Sequence, residues 1–145
     1  MPVDRVTPDD AAKLLEQGWK YLDVRSIPEF DGGHPAGAFN IPLQHQGPSG
    51  MVPNPDFMTV VQRAFSPQDR LVLGCRSGNR SLHAAEMLQA QGFDQVVDMR
   101  GGLSGEKDQA GNIVLAGWQA SGLPVSTAAE PGRSYSELER SSKQS

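Results

Sequence analysis

The chain has 145 residues, a net charge of -4 and 37% hydrophobic residues, which fits one globular domain and is too short for two comfortable ones. The charge lacks the basic excess that binding to a phosphate backbone requires, so we expect no nucleic-acid partner. No segment is apolar enough to span a bilayer, and "MPVDRVTPDDAAKLL" does not fit a secretory signal, so we expect a cytoplasmic protein with no membrane partner.

Short strands alternate with helix-length segments along the chain. Thr7 is the predicted N-cap of the first helix and Gly18 its stop, and Ser26 and Glu29 have capping-box spacing in the second. The predicted helices are "TPDDAAKLLEQG", "SIPEF", "FMTVVQRAF" and "SLHAAEMLQAQG", and the predicted strands are "WKYLDV", "AFNIP", "RLVLGC" and "QVVDM". Residues 43–56 are a predicted loop because of their glycines and prolines. This alternation predicts an α/β fold with a largely parallel sheet.

The single cysteine, Cys75, stands at the carboxyl end of a predicted buried strand and opens "CRSGNRS". Ligands bind at this end of the strands in α/β sheets. Gly78 frees the backbone to curl, so that successive N–H groups could converge above the sulfur as an anion-binding nest. The dipole of the following helix, with Arg76 and Arg80 nearby, should favour the thiolate. We interpret Cys75 as a nucleophile aimed at anions; the alternative is a free cysteine buried at the end of a core strand.

Four motifs in order, "YLDVRSIPEFDGGHPAGAFNIP", "GPSGMVPNPDF", "VLGCRSGNRS" and "MRGGL", resemble the rhodanese family of sulfurtransferases in its single-domain form. The resemblance runs from about Thr7 to Val125. It implies a rhodanese domain over residues 1–125, with a five-stranded, largely parallel sheet flanked by helices on both faces. It also implies that Cys75 cycles between thiolate and persulfide. The residues that would line its anion pocket are Arg76, Ser77, Gly78, Asn79 and Arg80.

The activity implied by the resemblance is transfer of sulfane sulfur from thiosulfate or a similar donor, through Cys75, to cyanide or a thiol. A persulfide carrier that serves a partner protein is the alternative, since the loop chemistry is the same in both. A cysteine phosphatase is a minor third option, because related phosphatases have arginine six positions after the cysteine, where this chain has Ser81. The resemblance implies no cofactor and no metal, and the three histidines share no metal-ligand spacing with Cys75.

Two predictions concern charged residues around this loop. In rhodanese-like folds the aspartate that matches Asp23 supports the loop arginine, here Arg80, through a charged hydrogen bond. We expect Arg25 to support the loop together with Asp23. Arg25 and Glu29, four residues apart, could form a local ion pair with a structural role only.

Two segments depart from the resemblance. Residues 103–117 separate the paired glycines from Trp118, a predicted core aromatic, and are an expected extra polar loop. Such a loop could shape which acceptor reaches Cys75, or be a solvated insertion without function. Beyond Val125, residues 126–145 are serine-rich and poor in apolar residues, which predicts a disordered tail that does not matter for catalysis.

Overall fold

A computed structural model describes residues 3–76 and 79–142 of the chain. The helices are α1 (Pro8–Glu16), α2 (Ile27–Asp31), α3 (Phe57–Ala64), α4 (Asn79–Ala90) and α5 (Tyr135–Ser142). The strands are β1 (Asp4–Val6), β2 (Lys20–Asp23), β3 (His34–Pro35), β4 (Phe39–Asn40), β5 (Gln44–Gly47), β6 (Gly50–Pro53), β7 (Leu71–Gly74), β8 (Val96–Met99), β9 (Glu106–Lys107), β10 (Ile113–Leu115) and β11 (Val125–Ser126).

Five of these strands form the central sheet, in the order β1-β8-β7-β2-β4. Every neighbouring pair in it is parallel, which confirms the predicted α/β class and the five-stranded sheet. The register pairs Lys20 with Leu71 and Asp23 with Gly74. The carboxyl ends of β2 and β7 therefore lie at the same edge of the sheet, and Cys75 follows directly at that edge.

Side chains alternate between the two faces of the sheet and bury both of them. Leu22, Leu71 and Leu73 pack in a cluster with residues of α3, α4 and α5. Tyr21 and Val72, the intervening residues, pack in a second cluster with residues of α1 and α2. Because successive strand side chains point to opposite faces, apolar runs such as "LVL" need a helical layer on each side. The predicted helices on both faces are confirmed.

The first two helices start at the capping residues that the sequence predicts. The Oγ of Thr7 accepts a hydrogen bond from the amide of Asp10 at 3.2 Å, as an N-cap does. Ser26 and Glu29 form the predicted capping box at the start of α2. Gly18, at φ +96°, lies just beyond the end of α1. Local capping therefore fixes how the chain enters α1 and α2.

Two predicted loops contain hairpins instead. Residues 43–56 include the antiparallel pair β5–β6, in which Gln44 lies opposite Pro53 and Gly47 opposite Gly50. The segment 103–117 includes the short antiparallel pair β9–β10. Glycine and proline mark turns, but they do not exclude a short two-stranded hairpin around such a turn. The prediction of a loop over residues 43–56 was therefore wrong for the two strands β5 and β6.

The described part of the predicted tail is folded against the rest of the molecule. Ser126, at the start of this segment, pairs with His34, which joins β11 to β3. Tyr135 is 4% exposed and belongs to the main core cluster, with Leu138 packed against it. The Asn54 side-chain amide donates to the Tyr135 hydroxyl at 3.2 Å. Tyr135 and Leu138, three residues apart, are enough to pack α5 against the core although the helix is otherwise polar. The low apolar content of residues 126–145 as a whole did not reveal this pair.

Tyr135→Phe is expected to lower the free energy of unfolding by about 1 kcal/mol, because it removes the hydroxyl that the buried Asn54 amide bonds. Urea denaturation measures the change. Arg140→Ala, at an exposed position on the same helix, is the control and should stay within about 0.5 kcal/mol of the parent protein. Equal stability of the two variants would show that α5 does not pack as described.

Candidate active site

Cys75 lies between the end of β7 and the start of α4. The residue is 2% exposed, and its Sγ accepts a hydrogen bond from the amide of Ser81 with an N···S distance of 3.4 Å. Ser81 is the third residue of α4, and the first amides of an α-helix have no carbonyl partner within the helix. The sulfur is thereby placed at the positive end of the helix dipole, where a negative charge is stabilised.

The paired glycines after β8 hold the backbone at Cys75. The amide of Leu103 donates to the Cys75 carbonyl at 2.8 Å, and the amide of Ser104 donates to the Arg76 carbonyl at 2.9 Å. Gly102 has φ +55°, and a Cβ at this position would lie 2.2 Å from the Cys75 carbonyl oxygen. This close approach is open only to glycine. The "MRGGL" turn therefore fixes the entry to the active-site loop.

Arg80 is bound by Glu29, not by Asp23. Its Nη1 and Nη2 donate to the two carboxylate oxygens of Glu29 at 2.7 and 2.9 Å. Glu29 also accepts hydrogen bonds from the amide and hydroxyl of Ser26. The hydrogen bond from Arg80 is the main cause that lowers the pKa of Glu29 to about 2. The predicted hydrogen bond between Asp23 and Arg80 was wrong, and this pair joins α2 to the first turn of α4.

Asp23 is instead paired with Arg25 inside the protein. The Arg25 Nη2 donates to Asp23 Oδ2 at 2.8 Å and to the Gly33 carbonyl at 2.6 Å, and its Nε also bonds the carboxylate. Asn40 donates to the backbone carbonyls of Asp23 and Arg25. The predicted ion pair between Arg25 and Glu29 was therefore wrong as well. The role of Asp23 and Arg25 as loop support stays a prediction.

The remaining predicted loop residues are only partly described. Arg76 is exposed directly after Cys75. Ser77, Gly78 and the side chain of Asn79 lie outside the described residues, so the convergence of loop amides above the sulfur stays a prediction. The structure brings together Cys75, the start of α4 and the Arg80–Glu29 pair at one edge of the sheet.

Sequence reasoning missed three side chains near this site. Besides Glu29, these are Ser81 and Asp98, both 0% exposed. The Ser81 hydroxyl donates to Asp98 Oδ1, and the Nε of Arg5 donates to Asp98 Oδ2 at 2.8 Å. Burial raises the pKa of Asp98, while the hydrogen bonds from Ser81 and Arg5 oppose that rise. A single acid within the apolar strand "VVDM" was the available signal.

The hairpin β9–β10 extends from the segment that holds the active-site backbone. The Trp118 amide donates to the Gly102 carbonyl at 2.9 Å. Trp118 is buried, as predicted, and its Nε1 donates to the Pro124 carbonyl. Farther along the hairpin, Ile113 and Val114 are well exposed. The insertion therefore begins at Leu103, whose amide bonds the Cys75 carbonyl. Its influence on acceptors stays a prediction.

Within residues 3–76 and 79–142, no helix has both the length and the apolar character needed to cross a bilayer. The cytoplasmic location expected from the sequence stays a prediction.

Comparison with known proteins gives consistent matches. The model of the family described as "Rhodanese-like domain" matches residues 7–109. Thiosulfate sulfurtransferase 16, chloroplastic, from Arabidopsis thaliana is 41% identical over 115 residues, which are 79% of this chain and 86% of that protein. Senescence-associated protein DIN1 from Raphanus sativus is 45% identical over 92 residues, 63% of this chain but only 50% of that protein. The crystal structure of Rv0390 from M. tuberculosis superposes with a TM-score of 0.72 at 26% identity, covering 88% of this chain and 100% of that one.

Proposed function

Because this chain belongs to the rhodanese-like domain family, we propose that it is a sulfurtransferase that carries sulfur as a persulfide on Cys75. The observation that carries the proposal is the position of the Cys75 sulfur, which follows β7 and accepts the Ser81 amide at the start of α4. A relative named thiosulfate sulfurtransferase supports a rhodanese-type sulfurtransferase as the general class. The specific donor and acceptor are part of the proposal.

The proposed reaction has two displacement steps. In the first, the Cys75 thiolate attacks the outer sulfur of thiosulfate; a new S–S bond forms, the S–S bond of thiosulfate breaks, and sulfite leaves with the electron pair. In the second, cyanide attacks the terminal sulfur of the persulfide, thiocyanate leaves, and the thiolate is regenerated. Charge balances in both steps without transfer of a proton. A thiol acceptor would act in its thiolate form and leave as a persulfide.

The surroundings of Cys75 suit this chemistry. The positive end of α4 and the Ser81 amide stabilise negative charge on the sulfur, both as a thiolate and when the terminal sulfur of the persulfide carries the charge. Exposed Arg76 provides a cation beside the site for a dianionic donor. The bidentate hydrogen bond to Glu29 holds Arg80, the last residue of the loop, against α2. Direct anion binding by Arg80 stays a prediction.

Thiosulfate treatment is expected to add one sulfur atom, about 32 Da, to Cys75, since an activated thiolate attacks a sulfane sulfur. Intact-protein mass spectrometry measures the adduct, and Cys75→Ser is the control because it removes the single cysteine. Cyanide should then remove the added mass and release thiocyanate. The absence of an adduct on the parent protein, or an equal adduct on the variant, would refute the persulfide proposal.

Release of the sulfur is expected to require an external acceptor. These 145 residues contain one cysteine, so no second thiol of this chain can resolve the persulfide. After removal of excess thiosulfate, the adduct should persist, and it should disappear faster as cyanide or glutathione is increased. A time course by mass spectrometry checks this. Rapid loss without an acceptor would contradict the two-step transfer, whereas stable loading with discharge only to a protein thiol would favour the carrier alternative.

A further inference from the structure

A buried carboxylate is linked to the Cys75 sulfur through one intervening residue. Asp98 accepts hydrogen bonds from the Ser81 hydroxyl on Oδ1 and from Arg5 Nε on Oδ2, the latter at 2.8 Å. The amide of the same Ser81 donates to Cys75 Sγ. We call Arg5, Asp98 and Ser81 the Asp98 network. It runs from a partly exposed arginine to the reacting atom.

The central sheet holds Asp98 from both sides. In the parallel pairing of β1 with β8, Arg5 lies opposite Asp98. In the pairing of β8 with β7, Asp98 lies opposite Leu73, two residues before Cys75. The backbone position of Asp98 is therefore fixed by β7, which leads into the active-site loop, and by β1. Through Ser81, the network connects this rigid part of the sheet to the first turn of α4.

Stability alone does not account for an acid at this position. Asp98 and Ser81 are both 0% exposed, and transfer of a carboxylate out of water is unfavourable even when it is paired. An apolar residue would suit the rest of the strand "VVDM" better. A buried group that is fully hydrogen-bonded does, however, select one arrangement of its partners. Here the selected arrangement is that of the Ser81 side chain and its amide.

We propose that Asp98 and Arg5 are positioning residues for Cys75: they fix the Ser81 side chain and so hold the Ser81 amide on the sulfur. The inference rests on the proposed function, because it assigns the network to the sulfur-loading step. No bond within the network forms or breaks during that step. The Ser81 amide stays hydrogen-bonded to the Cys75 sulfur while the thiolate attacks. The network keeps the direction of this N–H group constant.

Single-turnover loading with thiosulfate tests the proposal in the full chain. Ser81→Ala should load about tenfold more slowly at saturating thiosulfate, with the half-saturating concentration within about twofold, because the network acts on the sulfur and not on donor binding. Thr7→Ala is the matched control: it removes the N-cap hydrogen bond of α1 and should lower the melting temperature without changing loading. A saturating rate for Ser81→Ala equal to that of the parent protein, or equal slowing in both variants, overturns the proposal.

Arg5→Met gives a second test at the partly exposed end of the network, should Ser81→Ala not fold. It should slow loading about threefold with an unchanged half-saturating concentration, and a parental rate overturns the proposal. Alkylation of Cys75 by iodoacetamide separates this inference from the proposed function. A parent protein that takes up no sulfur refutes the proposed function, whereas equal alkylation rates in the parent and Ser81→Ala refute the positioning role.

Discussion

Gly102→Ala is expected to reduce sulfur loading of Cys75 at least about 100-fold, because small displacements of a reacting group have effects of this size. The added Cβ would lie 2.2 Å from the Cys75 carbonyl oxygen and 2.6 Å from the Arg76 carbonyl carbon. Neither neighbour is the end of a flexible side chain, so the backbone of the active-site loop must move. The displaced carbonyl would also lose the hydrogen bond from the Leu103 amide.

Stability should fall in the same variant. Alanine at φ +55° costs roughly 1 kcal/mol in backbone strain, and the steric overlap adds roughly 2 kcal/mol more. Gly111→Ala is the control, because Gly111 also has positive φ, +86°, but open space around its Cβ position. It should lose only about 1 kcal/mol and load sulfur at the parental rate. Urea denaturation and mass spectrometry measure both variants, and parental loading by Gly102→Ala would contradict the assigned role of this glycine.

The sequence predicted the parts of the molecule that depend on local pattern. Apolar runs of strand length between helix-length segments predicted the parallel sheet, and the strand, loop and helix around Cys75 placed the sulfur at its carboxyl edge. Thr7 and Ser26 marked two helix starts because capping depends on residues only three apart. Such signals lie within a few residues of chain, so one sequence is enough to find them.

Side-chain partners were harder to predict, because they depend on distances across the fold. Three acids, Asp23, Glu29 and Asp98, lie near the active-site edge, and spacing did not show which of them meets Arg80. Asp23 is engaged by Arg25 two residues away, while Glu29 meets Arg80 across 51 positions of chain. A carboxylate in a capping box has oxygens left for a second partner, a property that sequence spacing does not reveal.

Glu29→Gln is expected to lower the free energy of unfolding by about 2 kcal/mol at pH 7 and to slow sulfur loading about tenfold. Glutamine keeps an oxygen for the Ser26 hydrogen bonds but removes the charge that holds Arg80. The pKa of Glu29 is lowered from 4.5 to about 2, chiefly by the hydrogen bond from Arg80. The expected loss of stability is smaller than the full shift in the pKa of Glu29 would give, because its side chain is about one quarter exposed and solvent screens the pair.

The direction of the pH dependence follows from that lowered pKa. A carboxylate with a lower pKa in the folded state stabilises the fold fully above pH 4.5, and this contribution is lost as the pH falls towards 2. The difference in stability between the parent protein and Glu29→Gln should therefore be largest near neutral pH and shrink on acidification. Burial raises the pKa of Asp98, but Asp98 is present in both proteins and largely cancels from the difference.

Urea denaturation from pH 7 down to the lowest pH at which both proteins fold measures this difference. Glu106→Gln is the matched control, because Arg100 binds Glu106 in a similar two-point pair at 3.2 Å, but the Arg100 side chain is 45% exposed, against 21% for Arg80. An exposed pair contributes little, so this variant should keep the parental stability and loading rate. A pH-independent difference for Glu29→Gln, or equal effects of the two substitutions, would show that the Arg80–Glu29 pair does not clamp the active-site loop.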